Sequence, residues 1–138
     1  MDCRLVFYSA RKTSFCERAL KKSFLELDLK LLKTSFAVKA KQLVDFLSES
    51  FSGCDMVFVI GGLSLDEERN AKTIIASSVD GTSVDDIKRL DNESGEDGYV
   101  LRAKNQFLIM LPDEPYQIEN IMQGAIGKYI KIGQSVSV

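Results

Sequence analysis

Three short segments of this chain carry residue types that could hold an anion. The first is Val59-Ile60-Gly61-Gly62-Leu63-Ser64, a glycine pair directly after an apolar run. Two glycines let a backbone approach a ligand closely, and the amides of a helix beginning beyond them would face a phosphate. Ser64 or Asp66 would cap that helix, with Glu67 and Glu68 in its first turn. A plain strand-to-helix turn has the same appearance. The segment is neither GxGxxG nor GxxxxGK[ST], which excludes the dinucleotide and phosphate-loop signatures. The second segment is Leu111-Pro112-Asp113-Glu114-Pro115. Its prolines stiffen the loop, and Pro115 suits a first helical turn. The third is Ser9-Ala10-Arg11-Lys12-Thr13-Ser14, where the hydroxyls of Thr13 and Ser14 and two cations could meet an anion or simply open a solvated helix.

Other chemistry is excluded by what the chain lacks. It contains no His, which removes His-based triads, His–metal sites and the commonest general base near neutral pH. Cys3, Cys16 and Cys54 are far apart and form no CxxC pair, so they read as buried reduced thiols, with a redox role as a distant alternative. The net charge of −2 argues against a nucleic-acid partner, which would need clustered Lys and Arg. No apolar run is long enough to span a bilayer, and no secretory leader is evident. A cytoplasmic protein without membrane contact is the expectation.

The elements that must position these segments follow from hydrophobic period. With 138 residues, 45% hydrophobic, the chain can bury a core as one domain spanning 1–138. Leu5–Tyr8, Leu29–Leu32, Met56–Ile60 and Phe107–Leu111 are short apolar runs that read as buried strands, and the last two show no alternation, as expected of strands covered on both faces of a parallel sheet. Between them the period is helical: Phe15, Ala19, Leu20, Phe24 and Leu27; then Leu43, Leu47 and Phe51; then Ala71, Ile74, Ile75 and Ser78. The last stripe runs from Ile118 through Ile121, Met122, Ala125 and Ile126 to Tyr129 and Ile130. Alternating strand and helix implies right-handed crossovers and a three-layer α/β/α sandwich with a mostly parallel sheet. Residues 80–106 break the rhythm with turn signals. There Tyr99–Ala103 is expected in a small β-hairpin, pairing near Thr82–Val84 or with Phe107 onward.

Charge is uneven. Residues 1–51 carry ten Lys or Arg against six Asp or Glu, and residues 52–138 carry eight against fourteen. Two solvated faces would give this, as would a basic first helix (Arg11, Lys12, Arg18, Lys21, Lys22) that receives an anionic ligand or neighbour.

Taken in order, the segments resemble the molybdopterin-binding domain of molybdenum-cofactor biosynthesis proteins and of competence/damage-inducible protein A. The resemblance rests on Asp55-Met56-Val57-Phe58-Val59-Ile60-Gly61-Gly62-Leu63-Ser64-Leu65-Asp66-Glu67-Glu68. It continues through Asn92, Gly95 and Gly98-Tyr99-Val100-Leu101 to Phe107-Leu108-Ile109-Met110-Leu111-Pro112-Asp113-Glu114-Pro115-Tyr116-Gln117-Ile118. Asp113 stands where the family has glycine, no acidic residue falls around Phe36–Val38, and the family's Asp-Thr-Asn after the first strand is lacking. Two carboxylates at Asp113 and Glu114 would repel an anion unless a metal bridged them.

The resemblance implies a small phosphorylated ligand, molybdopterin or a nucleotide-type metabolite, held between the Gly61-Gly62-Leu63-Ser64 loop and Pro112, Asp113 and Pro115. Mg²⁺ on Glu67 or Glu68 would bridge its phosphates. On this reading Gly62→Asp removes ligand binding and leaves the fold intact. The resemblance also implies assembly into a homo-oligomer, a dimer or trimer. Two alternatives accompany it: a non-catalytic oligomeric scaffold with a degenerate site, using Phe15, Phe24, Phe36, Phe46 and Phe51, and a Mg²⁺-dependent ADP-ribose-type pyrophosphatase. The incomplete acidic set favours a non-enzymatic role.

Overall fold

A computed structural model describes residues 1–66, 68–78, 87–90, 96–103, 106–124, 126, 127, 129 and 130. Its elements run β1 (Asp2–Tyr8), α1 (Thr13–Glu26), β2 (Lys30–Ala37), α2 (Ala40–Gly53), β3 (Met56–Ile60), α3 (Ala71–Ser78), β4 (Ile87–Leu90), β5 (Gly98–Ala103), β6 (Gln106–Leu111) and α4 (Pro115–Gln123). They form one six-stranded sheet in the order β2-β1-β3-β6-β5-β4. The first four strands of that order are parallel, while β5 runs antiparallel to β6, and β4 to β5. The expected three-layer α/β sandwich with a mostly parallel sheet is therefore what forms.

The apolar runs are continuous because each central strand feeds two cores. Leu5 and Phe7 of β1, Phe58 and Ile60 of β3, and Ile109 and Leu111 of β6 pack with α1 and α4 on one face. Val6 and Tyr8, Val57 and Val59, and Leu108 and Met110 face α2 and α3 on the other. All five residues of β3 are fully buried. Each such side chain is worth about 1.5–3 kcal/mol of transfer free energy, so the central strands dominate the stability. Phe24 of α1 meets Phe58 of β3 at 4.9 Å between ring centroids, pinning the first helix to the sheet centre.

The structure corrects several expectations. The second strand is longer than Leu29–Leu32 and lies at the sheet edge, so Leu32 and Phe36 are exposed rather than covered on both faces. Phe15 begins the α1 stripe in sequence but is 59% exposed, because α1 meets the sheet through Cys16, Ala19, Leu20 and Phe24. The hairpin strand pairs with β6, one of the two expected partners, and its other neighbour is β4. Thr82–Val84, Asn92, Gly95 and Ala125 lie outside the described residues. The apolar stripe of α4 continues past Gly124 in the buried Ile126 and Ile130.

Candidate functional site

Strand order reverses between β1 and β3: the chain leaves β1 for one edge of the sheet, then crosses back over it to the other side. Ligands of open α/β sheets lie beyond the carboxyl ends of the strands at such a point. Three loops meet there, Ser9–Lys12 after β1, Gly61–Asn70 after β3 and Pro112–Glu114 after β6. One backbone contact ties the second loop to the strand before the third: Gly61 donates its N–H to the carbonyl of Leu111 at 3.0 Å, while Ser9 of the first loop donates to that of Ala37 at the end of β2 at 2.9 Å.

The glycine pair is demanded by this convergence. Gly61 has φ +99° and Gly62 φ +75°. A Cβ at Gly61 would lie 2.4 Å from the Tyr8 carbonyl oxygen and 2.9 Å from the Ala10 Cβ. One at Gly62 would lie 2.3 Å from Cδ2 of the Tyr8 ring. The close approach that the glycines permit is thus to β1 and its loop. The expectation that Gly62→Asp spares the fold is corrected by this contact, since any side chain there collides with a buried tyrosine.

The loop beyond the glycines is longer than the sequence suggested. Helix α3 opens at Ala71, and its cap is Asn70 rather than Ser64 or Asp66: the Asn70 side-chain oxygen accepts the Lys72 N–H at 3.0 Å. The same side chain donates to the carbonyls of Leu63 (2.9 Å) and Leu65 (3.4 Å), so one amide closes the loop and starts the helix. Tyr8 donates its hydroxyl to the Arg69 carbonyl at 2.8 Å. Burial pushes that phenol up from its ordinary pKa. Ser64 and Glu68 are exposed, Leu63 is half-buried, and Glu67 lies outside the described residues. Asp66 pairs with Arg69 at 3.1 Å, and that guanidinium holds the carboxyl below the usual carboxylate range.

Asp113 and Glu114 are neutralised by cations of the first loop. Asp113 accepts both the backbone N–H of Arg11 (2.8 Å) and its Nε (3.3 Å). Lys12 donates to Glu114 at 2.7 Å and holds that carboxyl below its usual range. These pairs bridge 102 positions of sequence and lock the start of α1 against the start of α4. Lys12 adopts left-handed φ at the cap of α1, and no side chain caps that helix; Thr13 is half-buried and Ser14 exposed. Pro112 is buried, and Pro115 occupies the first turn of α4 as expected. Among the described residues no group of three acidic or sulfur side chains could hold a metal ion.

Gly61, Gly62, Pro112 and Asp113 thus gather at the carboxyl edge of the sheet, beside Thr13 and Ser14 on α1. The sequence reading missed Tyr8, Asn70 and the Arg11 and Lys12 pairings. Asn70 carried a signal, a polar capping residue directly before the Ala71–Ile75 stripe. The cross-loop pairs carried none. A groove of about 530 Å³ opens beside this edge between α1 and α4, lined among others by Lys12, Glu114 and Pro115. All three thiols are buried: Cys3 is pushed up to about 12, and Cys16 to about 11, by burial first and then by the negative charge nearby. Neither is poised for thiolate chemistry.

No protein-family model and no curated protein matches the chain. Solved structures do. A molybdenum cofactor biosynthesis protein B superposes with a TM-score of 0.75 over 99% of this chain and 96% of its own, at 11% identity. A molybdopterin biosynthesis protein from Mycobacterium abscessus gives 0.72 over 99% and 96%, at 10% identity. CinA from Thermoplasma acidophilum, described as of unknown function, gives 0.70 over 94% and 99%, at 13% identity. From end to end, the chain has the fold of these molybdenum-cofactor biosynthesis and CinA proteins.

Proposed function

We propose that this protein binds a phosphorylated pterin or nucleotide-type metabolite at the carboxyl edge of its sheet, in a role related to molybdenum-cofactor biosynthesis. The supporting observation is the convergence of the three loops at the β1–β3 reversal, in a fold shared over its full length with proteins named for that pathway. Ser64 and the backbone around Gly61-Gly62-Leu63 would line one side, with Pro112, Asp113 and Pro115 opposite and Thr13 and Ser14 at the start of α1. Asp113 is compatible with an anionic ligand because Arg11 already balances its charge. Glu67 or Glu68 would serve Mg²⁺ only if ligand phosphate completed its coordination.

Thermal unfolding against inorganic phosphate, AMP, ADP-ribose, ATP and a molybdopterin precursor, each with and without Mg²⁺, tests this. A ligand at 100 times its Kd adds about 2.7 kcal/mol. For a domain of this size the midpoint then rises by roughly 5–10 °C. Ser64→Glu, at an exposed position, is expected to remove that rise and leave the ligand-free midpoint unchanged. No rise with any compound, or a rise that Ser64→Glu leaves intact, refutes the assignment.

A scaffold reading is supported by one observation: the edge strand β2 and the residue after it expose Leu32, Phe36 and Val38. Exposed apolar side chains on an open sheet edge favour self-association. Light scattering over a concentration series separates a dimer or trimer from a monomer, and a constant monomer mass removes the scaffold reading.

A further inference from the structure

The groove between α1 and α4 has features that the loop site does not use. Its α1 wall presents Phe15, Arg18 and Lys22, and its α4 wall presents Glu119 beside Pro115, the one residue shared with the loop site. Phe15 is 59% exposed, and the Arg18 guanidinium carbon sits 5.8 Å from its ring centroid. Neither Arg18 nor Lys22 has a carboxylate partner among the described residues. Lys21 next to them forms the ordinary i,i+4 pair with Glu17 at 3.1 Å. Arg18 and Lys22 are themselves spaced i,i+4, so like charges face each other along one helix edge, which weakens an isolated helix. Two unfavourable features, a solvated phenyl ring and a like-charge pair, therefore share one concavity of about 530 Å³, within the size range of small-molecule pockets. One occupant relieves both: an aromatic ring against Phe15 and an anionic group between Arg18 and Lys22.

We propose that this groove is a second binding site, for a planar aromatic anion. Its ring lies between Phe15 and Pro115, and its phosphate, sulfonate or carboxylate lies at Arg18 and Lys22. Glu119 adds a hydrogen-bond acceptor, which favours a ring bearing an amino or imino donor. The remaining charges on the groove, Lys12 and Glu114, are bonded to each other and cancel. Phe15, Arg18, Lys22 and Glu119 belong to this groove alone and only Pro115 is shared with the loop site, so this site stands whether or not the loop site binds.

The test is titration of the ¹⁵N-labelled protein with AMP, adenosine, inorganic phosphate and anilinonaphthalene sulfonate, followed by amide resonances. AMP and the sulfonate are expected to shift the amides of Phe15, Arg18, Lys22 and Glu119. Adenosine lacks the anion and phosphate lacks the ring, so each should bind at least about tenfold more weakly than AMP. Phe15→Ala is expected to weaken AMP by roughly 5- to 100-fold, the range for losing one base–aromatic stack. The double variant Arg18→Glu, Lys22→Glu should remove the advantage of AMP over adenosine and the salt dependence of binding. All three side chains are solvent-facing, so midpoints of unfolding should be retained. Ser64→Glu should leave the groove shifts unchanged, which separates this site from the loop site. If neither aromatic anion shifts these amides at millimolar concentration, or if Phe15→Ala binds AMP as the parent does, the groove is not such a site. Shifts by adenosine as large as those by AMP overturn the anion assignment.

Discussion

Replacing Gly61 by alanine puts a methyl group where two strands and a loop leave no room. The new Cβ would lie 2.4 Å from the carbonyl oxygen of Tyr8 and 2.9 Å from the Cβ of Ala10, and the first of these is rigid backbone of a buried strand. Residue 61 also holds φ +99°, a conformation that costs a non-glycine residue about 1–3 kcal/mol. Forcing the β1 loop aside adds about 1–3 kcal/mol of overpacking, for a total of roughly 2–6 kcal/mol. The unfolding entropy of a 138-residue chain is about 0.29 kcal/mol/K, so the midpoint falls by roughly 7–20 °C. Circular dichroism on heating, paired with urea unfolding at unchanged slope, measures this. Gly127→Ala is the control, because nothing lies within 4 Å of a Cβ there. Gly127 is helical, in the segment beyond α4, so that variant should be neutral or stabilised by up to about 1 kcal/mol, the helix preference for alanine over glycine. If Gly61→Ala melts within about 2 °C of the parent, the account of the glycine pair as a packing requirement is wrong.

Three further perturbations follow from the same contacts. Asn70→Ala removes the cap of α3 and two loop hydrogen bonds, and is expected to cost about 1–3 kcal/mol in urea unfolding, whereas Ser64→Ala should cost nothing measurable. Asp113→Ala strips the acceptor shared by the Arg11 amide and guanidinium; a loss of about 1–2 kcal/mol is expected, and a hydrogen-exchange experiment should show the Arg11 amide opening faster. The buried thiols give a pH dependence. Cys3 and Cys16 ionise near 12 and 11 in the folded chain against an ordinary 9.0, so above pH 9 the unfolded state holds fewer protons. Stability from these groups is fully present below pH 9 and is lost progressively as pH rises toward 11–12. Alkaline unfolding in that window should lessen in Cys16→Ala, and a native thiol-labelling assay near neutral pH should find all three cysteines unreactive.

The sandwich was legible in the residues because its signal is local. A run such as Met56-Val57-Phe58-Val59-Ile60 has no polar face, which only a strand buried on both sides tolerates, and the stripes of α1 to α4 each declare one apolar face. The glycine pair was legible as a point of close approach, and Pro115 as a helix start. What the sequence could not show is what approaches the glycines: Tyr8 lies more than fifty positions away, and only the pairing of β1 with β3 brings its carbonyl to Gly61.

The same limit explains the remaining differences. Leu32 and Phe36 belong to an apolar strand, yet strand order alone puts that strand at the edge and leaves them exposed. Phe15 matches the α1 stripe in spacing, but the face of α1 that meets the sheet is centred on Cys16, Leu20 and Phe24, so its ring turns outward into the groove. Asp113 and Glu114 read as repulsive to an anion until the fold set Arg11 and Lys12 against them across 102 residues. Hydrophobic period fixes which segments become strands and helices, because burial acts on each segment by itself. Which charges meet, which face of a helix is left open and what a glycine must make room for are long-range pairings, and only the assembled sheet decides them.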